Sequence, residues 1–243
     1  MLSNQEFLDK VLTSFKVFIS IGTSRSTAKL KPLHGAIAAD IAERLGDGYK
    51  VYSQGFGEGK EKKIDGRYID KMVDITIENV QTKQPVAGIG VKFVMQNYSQ
   101  NSNNYFENML GETANIRTAN CPYFQIFIIL DKLPYYENSG TLKKWEEFTD
   151  HNMSKYCKLS ADNIDVFMHT PNKTLICVAH IDPEIPTTTS KKADYMSFYA
   201  GKIDKLKMSY STHNYKGLTA NGTIIMNDYK SFIEKVYHTI KAI

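Results

Sequence analysis

Apolar residues recur along the chain with two different periods, and these periods predict where helices and strands lie. In residues 4–17 the apolar side chains stand three and four positions apart, which places them on one face of an amphipathic helix. The segment 33–46 predicts a second helix, whose small residues suit close packing, and Gly46 is suited to be its C-cap. The predicted helices span residues 4–17, 33–46, 104–117, 142–156 and 228–243.

Between these helices, short apolar segments rich in β-branched and aromatic residues predict strands. The segment "YFQIFIILD" is apolar almost throughout, which is typical of a strand buried on both faces at the centre of a sheet. The glycine-rich, charged segment 55–67 predicts an exposed loop or hairpin. The predicted strands lie within residues 49–55, 68–80, 85–95, 123–131, 166–170 and 174–181.

The order of these elements predicts an α/β fold in which a mixed central sheet is flanked by helices. We expect residues 1–190 to form the core domain and residues 191–243 to form a C-terminal subdomain packed on it. The reason for this division is that residues 194–218 mix tyrosines with lysines and show no clear period. Such a mixture suits contacts to a nucleic-acid backbone, and it equally suits an ordinary packed subdomain.

Composition narrows the class of protein only slightly. The chain has 243 residues, is 42% hydrophobic and carries a formal net charge of +4, which permits an anionic partner without requiring one. Cys121, Cys157 and Cys177 are far apart, which argues against a disulfide framework or a zinc site and favours a reducing cytoplasm. We find no signal-peptide pattern and no apolar run long enough for a membrane span.

Two charged residues interrupt neighbouring apolar strands. Asp74 stands within "KMVDITIENV", and Lys92 stands near the end of "PVAGIGVKFVM". A charged group among strand residues needs a partner, a metal ion or a shifted pKa. Because a short loop joins the two strands, an antiparallel pairing can bring Asp74 and Lys92 together at one end of the sheet. A carboxylate that holds a divalent metal ion, with an ammonium beside it, is suited to phosphodiester hydrolysis.

The two segments "VDITI" and "GIGVKF" resemble the core of the PD-(D/E)XK nucleases, the restriction-endonuclease-like superfamily. In that pattern an aspartate begins one strand, and an acid, any residue and a lysine end the next. Asp74 matches the first acid and Lys92 matches the lysine, whereas Gly90 stands where the second acid is expected and Val73 stands where a proline is expected. The resemblance extends over about residues 33–130.

In some type II restriction enzymes of this superfamily, a glutamate on the following helix replaces the second acid. Glu107 and Glu112 lie fifteen and twenty residues after Lys92, and the family spacing favours Glu107 whereas the helix phase favours Glu112. We place Glu107 ahead, because a metal ion at the end of the strand is closer to the start of the helix. The resemblance implies that Asp74, the backbone carbonyl of Val91 and one of these glutamates bind Mg²⁺, for which Mn²⁺ can substitute. In the alternative interpretation, both glutamates are solvent-facing helix charges.

The resemblance also implies contacts to DNA. The basic residues of "SRSTAKLK" can bind phosphates, and the asparagines before the third helix can reach phosphates or base edges. Equally, these segments can be a solvated basic loop and a polar turn. On the first core helix, His34 can cap the helix or line a site, and Asp40 is a further candidate acid. The candidate DNA contacts are Arg25, Lys29, Lys31, Asn101, Asn103 and Asn104.

Taken with the residues, the resemblance implies a Mg²⁺-dependent type II restriction endonuclease that cuts double-stranded DNA as a homodimer in the cytoplasm. The chain has no GxxxxGK[ST] loop, so no P-loop ATPase is expected. Three alternatives stay open. They are an inactive DNA-binding protein of the same fold, a repair or junction-resolving nuclease, and a structural protein in which Asp74 and Lys92 form a buried ion pair.

Overall fold

The computed structural model describes residues 1–22, 26–186, 188–219 and 221–243. Its helices are α1 (Asn4–Ile21), α2 (Lys31–Leu45), α3 (Tyr98–Arg117), α4 (Asp150–Ser160), α5 (Lys192–Ala200) and α6 (Tyr229–Lys241), with short 3₁₀ helices at Thr27–Leu30 and Ile203–Lys205. Its strands are β1 (Tyr49–Ser53), β2 (Lys62–Asp65), β3 (Asp70–Val73), β4 (Ile75–Asn79), β5 (Pro85–Val94), β6 (Tyr123–Leu130), β7 (Lys132–Tyr136), β8 (Leu142–Glu147), β9 (Lys173–Asp182), β10 (Lys207–Tyr210) and β11 (Ile224–Met226).

The central sheet is mixed, as the element order predicts. Its strands follow the order β1-β4-β5-β6-β9-β10, and β11 also pairs with β9. The pairs β5–β6 and β6–β9 are parallel, whereas β1–β4, β4–β5 and β9–β10 are antiparallel. Every residue of β6 is buried, as expected for a central strand covered on both faces. The α/β class with a mixed, helix-flanked sheet is therefore confirmed.

Helices cover both faces of the sheet. On one face, Phe124 of β6 contacts Phe232 of α6 edge to face, with ring centres 6.3 Å apart. On the other face, Phe127 of β6 lies 5.3 Å from the ring of Tyr156 on α4. Because successive strand residues point to opposite faces, these two contacts assign α6 and α4 to opposite layers. The sheet is thus held between two helical layers, and its open ends remain available for a site.

The third helix begins six residues earlier than the pattern predicts. It starts at Tyr98, and its first turn is capped by a residue from β8, because the Glu146 carboxylate accepts hydrogen bonds from the amide and hydroxyl of Ser99. Asn97 holds the chain before the helix, since its side chain accepts from the amide of Tyr136 and donates to that residue's carbonyl. Tertiary contacts therefore extend the helix into a segment that looks like a polar turn.

Two predicted elements are wrong. The segment predicted as one helix over 142–156 divides into β8, which pairs with β7, and the shorter helix α4. The segment 166–170, predicted as a strand, consists of turns. Its backbone carbonyls are bound by a side chain instead of a neighbouring strand, because the Arg117 guanidinium donates to the carbonyls of Phe167 and Thr170.

The C-terminal segment is more closely joined to the core than the predicted boundary at residue 190 implies. Strands β10 and β11 lie along the same central sheet, and α6 buries its apolar face in the main hydrophobic cluster. Tyr229 of α6 stacks on Phe7 of α1, with ring centres 4.4 Å apart. The sheet and its core therefore include residues on both sides of that boundary. Among the helices that the structure describes, none is long and apolar enough to cross a membrane.

Candidate functional site

Asp74 lies at the junction of β3 and β4, where the chain leaves the small β2–β3 hairpin and enters the central sheet. Its backbone carbonyl accepts a 2.7 Å hydrogen bond from the hydroxyl of Ser53, at the end of β1. Its carboxylate Oδ2 accepts a 2.7 Å hydrogen bond from the backbone amide of Val91 on β5. These two contacts fix the carboxylate beside β5.

The backbone of Val91 is open toward this carboxylate. Strand β4 pairs with β5 only as far as Ile75 and Ile89, so among the described residues no strand pairs with β5 beyond Ile89 on that side. The amide and carbonyl of one strand residue point to the same side. The Val91 carbonyl therefore faces the side of β5 on which Asp74 lies, next to the carboxylate with which we expect it to bind a metal ion.

Lys92 extends from β5 into the same cleft. Its ammonium lies 4.3 Å from the centre of the Tyr105 ring on α3. Burial in the cleft lowers the pKa of Lys92 even though much of the side chain remains exposed, while Asp74 and Glu112 oppose that lowering. An exposed lysine that lies over a tyrosine ring does not match the alternative in which Asp74 and Lys92 form a buried ion pair.

A side chain at position 90 would lie against two polar side chains of β6. A Cβ atom there would lie 2.7 Å from Tyr123 Oη and 2.8 Å from Gln125 Oε1, too close for any side chain without displacing them. Tyr123 Oη in turn donates a 3.3 Å hydrogen bond to Glu112 Oε2. The tyrosine hydroxyl therefore lies between the Glu112 carboxylate and the space that a side chain on residue 90 would occupy.

Helix α3 presents Glu112, and not Glu107, to the cleft. The α3 residues that line the cleft recur at helical spacing, and Glu112 is on this stripe. Glu107 is exposed and lies near Lys155 of α4, where its charge opposes the lowering of the Lys155 pKa by burial. Glu112, which the helix phase favours, therefore lines the cleft, whereas Glu107, which we place ahead from the sequence, does not. The stripe consists of Tyr105, Asn108, Met109 and Glu112.

The cleft is lined by two acids and one lysine, and it has room for a ligand. Its volume is about 280 Å³, and its walls include Asp74, Val91, Lys92 and Glu112. Burial raises the pKa of the Asp74 carboxyl, and Glu112 raises it further, whereas His34, the Val91 amide and a lysine lower it. A carboxylate with a raised pKa is stabilised by a bound cation, because the cation offsets both the lost hydration and the repulsion.

That lysine is Lys71 of β3, which already provides one positive charge at the site. Its ammonium lies 2.6 Å from Glu112 Oε1 in a half-exposed ion pair. The same carboxylate therefore has one oxygen toward Tyr123 and one toward Lys71. A metal ion that binds Glu112 has to compete with this ammonium.

Two residues outside the nuclease-like pattern also approach Asp74. One ligand atom each of His34, Glu61 and Asp74 lie within 4.8 Å of one another. The sequence suggests only that His34 caps a helix or lines a site. Glu61 does not stand out from the charged segment around it, and nothing in its local sequence indicates that the fold brings it to Asp74.

The candidate DNA contacts differ in their accessibility. Lys29 is 7% exposed and lies close enough to Lys92 for repulsion to add to the effect of burial in lowering the Lys29 pKa. Lys31 is exposed at the first residue of α2, whereas Arg25 lies outside the described residues. Asn101 donates to the carbonyl of Asn97 within α3. Both remaining candidates, Asn103 and Asn104, are exposed on that helix.

Two other acids form ion pairs or hydrogen bonds that hold neighbouring elements together. Asp40 is buried on α2, where it pairs with Arg44 at 3.1 Å and accepts a 2.9 Å hydrogen bond from the hydroxyl of Tyr229. It ties α2 to α6. Glu78 is buried on β4 and pairs with Lys62 of β2. Both carboxylates are satisfied within the protein, so neither is available to a ligand.

A second cavity, of about 310 Å³, lies near the ends of β6 and β9. Its polar groups already pair with one another. His180 Nδ1 lies 2.9 Å from Asp131 and its Nε2 lies 3.5 Å from Asp182, while His213 lies 3.1 Å from Asp150. The Asp74 cleft is the better candidate for chemistry, because the Asp74 carboxylate forms no ion pair among the described residues, although Glu112 pairs with Lys71.

No family model matches this chain, and no curated protein or solved structure matches it either.

Proposed function

We propose that this protein is a Mg²⁺-dependent deoxyribonuclease that hydrolyses phosphodiester bonds in double-stranded DNA, and among these a type II restriction endonuclease. The observation that carries the proposal is the convergence of Asp74, Glu112 and Lys92 in one cleft, with the Val91 carbonyl beside them. Two carboxylates, a carbonyl and a nearby ammonium are the groups that metal-dependent phosphodiester hydrolysis uses. Gly90 is compatible with this set, because Glu112 supplies the second carboxylate.

The donor set fits Mg²⁺, which prefers oxygen ligands at about 2.1 Å and keeps several waters. Asp74, Glu112 and the Val91 carbonyl would hold the ion, which when bound polarises a phosphate oxygen and lowers the pKa of a water molecule. Lys92 would orient the attacking water and stabilise the negative charge that develops at phosphorus. Tyr123 would position Glu112 through the hydrogen bond that it donates to Oε2.

The wider assignments follow from the same proposal. Because the described residues form one such cleft, cutting both strands of a symmetric site implies a homodimer. Lys31, Asn103 and Asn104 are exposed and remain predicted DNA contacts, and we retain Lys29 because it lies beside Lys92. We place the protein in the cytoplasm, since its three cysteines are free and buried.

Incubation of the purified chain with plasmid or phage DNA and Mg²⁺ tests the proposal. We expect a ladder of discrete fragments that disappears when EDTA is added. Preference for branched over linear DNA would instead favour the repair or junction-resolving nuclease. Binding to DNA without any cleavage, in Mg²⁺ and in Mn²⁺, would favour the inactive DNA-binding protein and would contradict the nuclease proposal.

The two helix glutamates offer a matched pair of substitutions. We expect Glu112→Gln to slow cleavage by at least about tenfold, a loss of about 1.4 kcal/mol of transition-state stabilisation, because an amide is a weaker metal ligand than a carboxylate. Glu107→Gln changes an exposed carboxylate on the same helix and should cut at the wild-type rate. Cleavage rates of the two variants and the wild type, measured under single-turnover conditions, test this difference. Equal rates for the two variants would remove Glu112 from the site.

A further inference from the structure

Asp74 is shared between the nuclease-like donors and a second group of donors. His34 lies in the first turn of α2, and Glu61 directly precedes β2. Their ligand atoms and one of Asp74 lie within 4.8 Å of one another. The three side chains come from three separate segments, so the tertiary fold brings them together. Neither His34 nor Glu61 belongs to the set proposed above to hold Mg²⁺.

His34 is a buried imidazole whose ring nitrogens form no hydrogen bond within the described part of the chain. The residue is 3% exposed. A buried polar atom without a partner destabilises a fold by about 1–3 kcal/mol. Burial also lowers the pKa of His34, and Asp74 opposes this effect. The lowered pKa favours the neutral ring, which is the form that binds metal ions. The free nitrogens are therefore available to a ligand.

The two carboxylates repel each other unless a cation lies between them. Burial raises the pKa of the Glu61 carboxyl, and the charge of Asp74 raises it further. Both acids belong to segments that the fold holds in place, since the amide of Val91 binds Asp74 and Glu61 leads into the β2–β3 hairpin. A divalent cation would relieve this repulsion, and it would also give the imidazole a partner.

Close backbone packing brings the segment before Glu61 against α2. A Cβ atom on Gly35 would lie 2.3 Å from the carbonyl oxygen of Gly55, and one on Gly55 would lie 2.3 Å from the carbonyl oxygen of Lys31. Only glycine permits such an approach. Because Gly35 follows His34 directly, this packing fixes the helix turn that carries the imidazole beside the loop that leads to Glu61.

We propose that His34, Glu61 and Asp74 form a binding site for a first-row transition-metal dication, and that this site prefers Mn²⁺ to Mg²⁺. One imidazole nitrogen and two carboxylate oxygens suit such an ion, whereas Mg²⁺ favours all-oxygen coordination. The site differs from the Val91–Glu112 position and shares only Asp74 with it. The assignment goes beyond the nuclease proposal and concerns binding without DNA, so it stands whether or not the chain cleaves DNA.

Titration of the metal-free full chain with Mn²⁺, followed by the electron paramagnetic resonance signal of the free ion, tests the site. We expect His34→Gln and Glu61→Gln each to weaken Mn²⁺ binding by at least about tenfold, or 1.4 kcal/mol. In competition with Mg²⁺, His34→Gln should also lower the preference for Mn²⁺, because its amide oxygen replaces a nitrogen donor with an oxygen donor. Circular dichroism establishes that each variant is folded.

The chain offers a matched control for each substitution. Glu58→Gln lies three residues before Glu61 in an exposed ion pair with Lys50, and His180→Gln changes a histidine that is already paired with Asp131. Both controls should bind Mn²⁺ as the wild type does. If His34→Gln fails to fold, the half-exposed Glu61 decides through its own variant.

The outcomes separate this site from the nuclease proposal. Wild-type Mn²⁺ affinity in folded Glu61→Gln and His34→Gln would overturn the site, as would the absence of Mn²⁺ binding by the wild type. Mn²⁺ binding that depends on these residues, in a chain that cuts no DNA, would support the site and contradict only the nuclease. Cleavage with Mg²⁺ in a chain that lacks this Mn²⁺ binding would support the nuclease proposal and contradict only the His34–Glu61–Asp74 site.

Discussion

Asp74→Asn is expected to slow DNA cleavage by at least about a hundredfold, the scale of losing one key electrostatic contact in a transition state. The same substitution should raise the unfolding temperature in metal-free buffer. Asparagine can still accept the hydrogen bond from the amide of Val91, but it carries no charge to be buried or repelled by Glu112 and Glu61. Loss of function together with a gain in stability is the behaviour expected of a strained functional residue.

The pH dependence of stability gives this prediction a definite sign. The pKa of Asp74 in the folded chain is raised above its ordinary value of 3.8, chiefly by burial. Between these two pKa values the folded chain binds more protons than the unfolded chain, so the contribution of Asp74 to stability falls as pH rises. The advantage of Asp74→Asn should therefore be small at acid pH, where Asp74 is protonated in both states, and largest at neutral pH.

Thermal unfolding in EDTA and in Mg²⁺, measured across pH, checks the predicted gain in stability and its pH dependence. Asp70→Asn is the control, since Asp70 is an exposed acid on β3, four residues before Asp74. It should leave cleavage and stability near wild type. Added Mg²⁺ should stabilise the wild type more than Asp74→Asn, because a ligand that binds only the folded state raises its stability. Near wild-type cleavage by Asp74→Asn would remove this residue from the site.

The sequence predicts the centre of this site because its evidence is local. Asp74 and Lys92 stand out as charges in apolar strands, whereas the sequence leaves the choice between Glu107 and Glu112 open and leans toward Glu107, which lies outside the cleft. The resemblance to the nuclease pattern also places Gly90 where an acid is expected. It does not reveal what surrounds Gly90, since Tyr123 and its hydroxyl reach that space from thirty-three residues further along the chain.

The wrong predictions have a common origin in contacts between distant segments. Residues 142–147 have helix-favouring lysines and glutamates, yet pairing with β7 makes them a strand. Glu146 extends α3 by capping its first turn. Glu61 looks like one more charge in a solvated run, and only packing against α2 brings it to His34 and Asp74. Local propensity and periodicity contain no information about contacts between segments that are distant in the sequence.

Lys92→Met is the second substitution for which we expect a large effect. Methionine keeps an apolar stem against the Tyr105 ring and removes the ammonium that lies over it. If Lys92 acts on the water and on the charge at phosphorus, cleavage should fall by at least about a hundredfold while DNA binding changes little. Gel-shift affinity in Ca²⁺ and single-turnover cleavage in Mg²⁺ measure the two quantities separately.

Lys155→Met is a matched control for this change, since the Lys155 ammonium lies 5.2 Å from the centre of the Phe106 ring on the same helix but outside the Asp74 cleft. It should cut normally. Because burial lowers the pKa of Lys92, its ammonium is lost at a lower pH than that of an exposed lysine, and wild-type cleavage should decline at alkaline pH. Parallel loss of binding and cleavage in Lys92→Met would make Lys92 a DNA contact. Separation of the two would instead assign its charge to the chemical step.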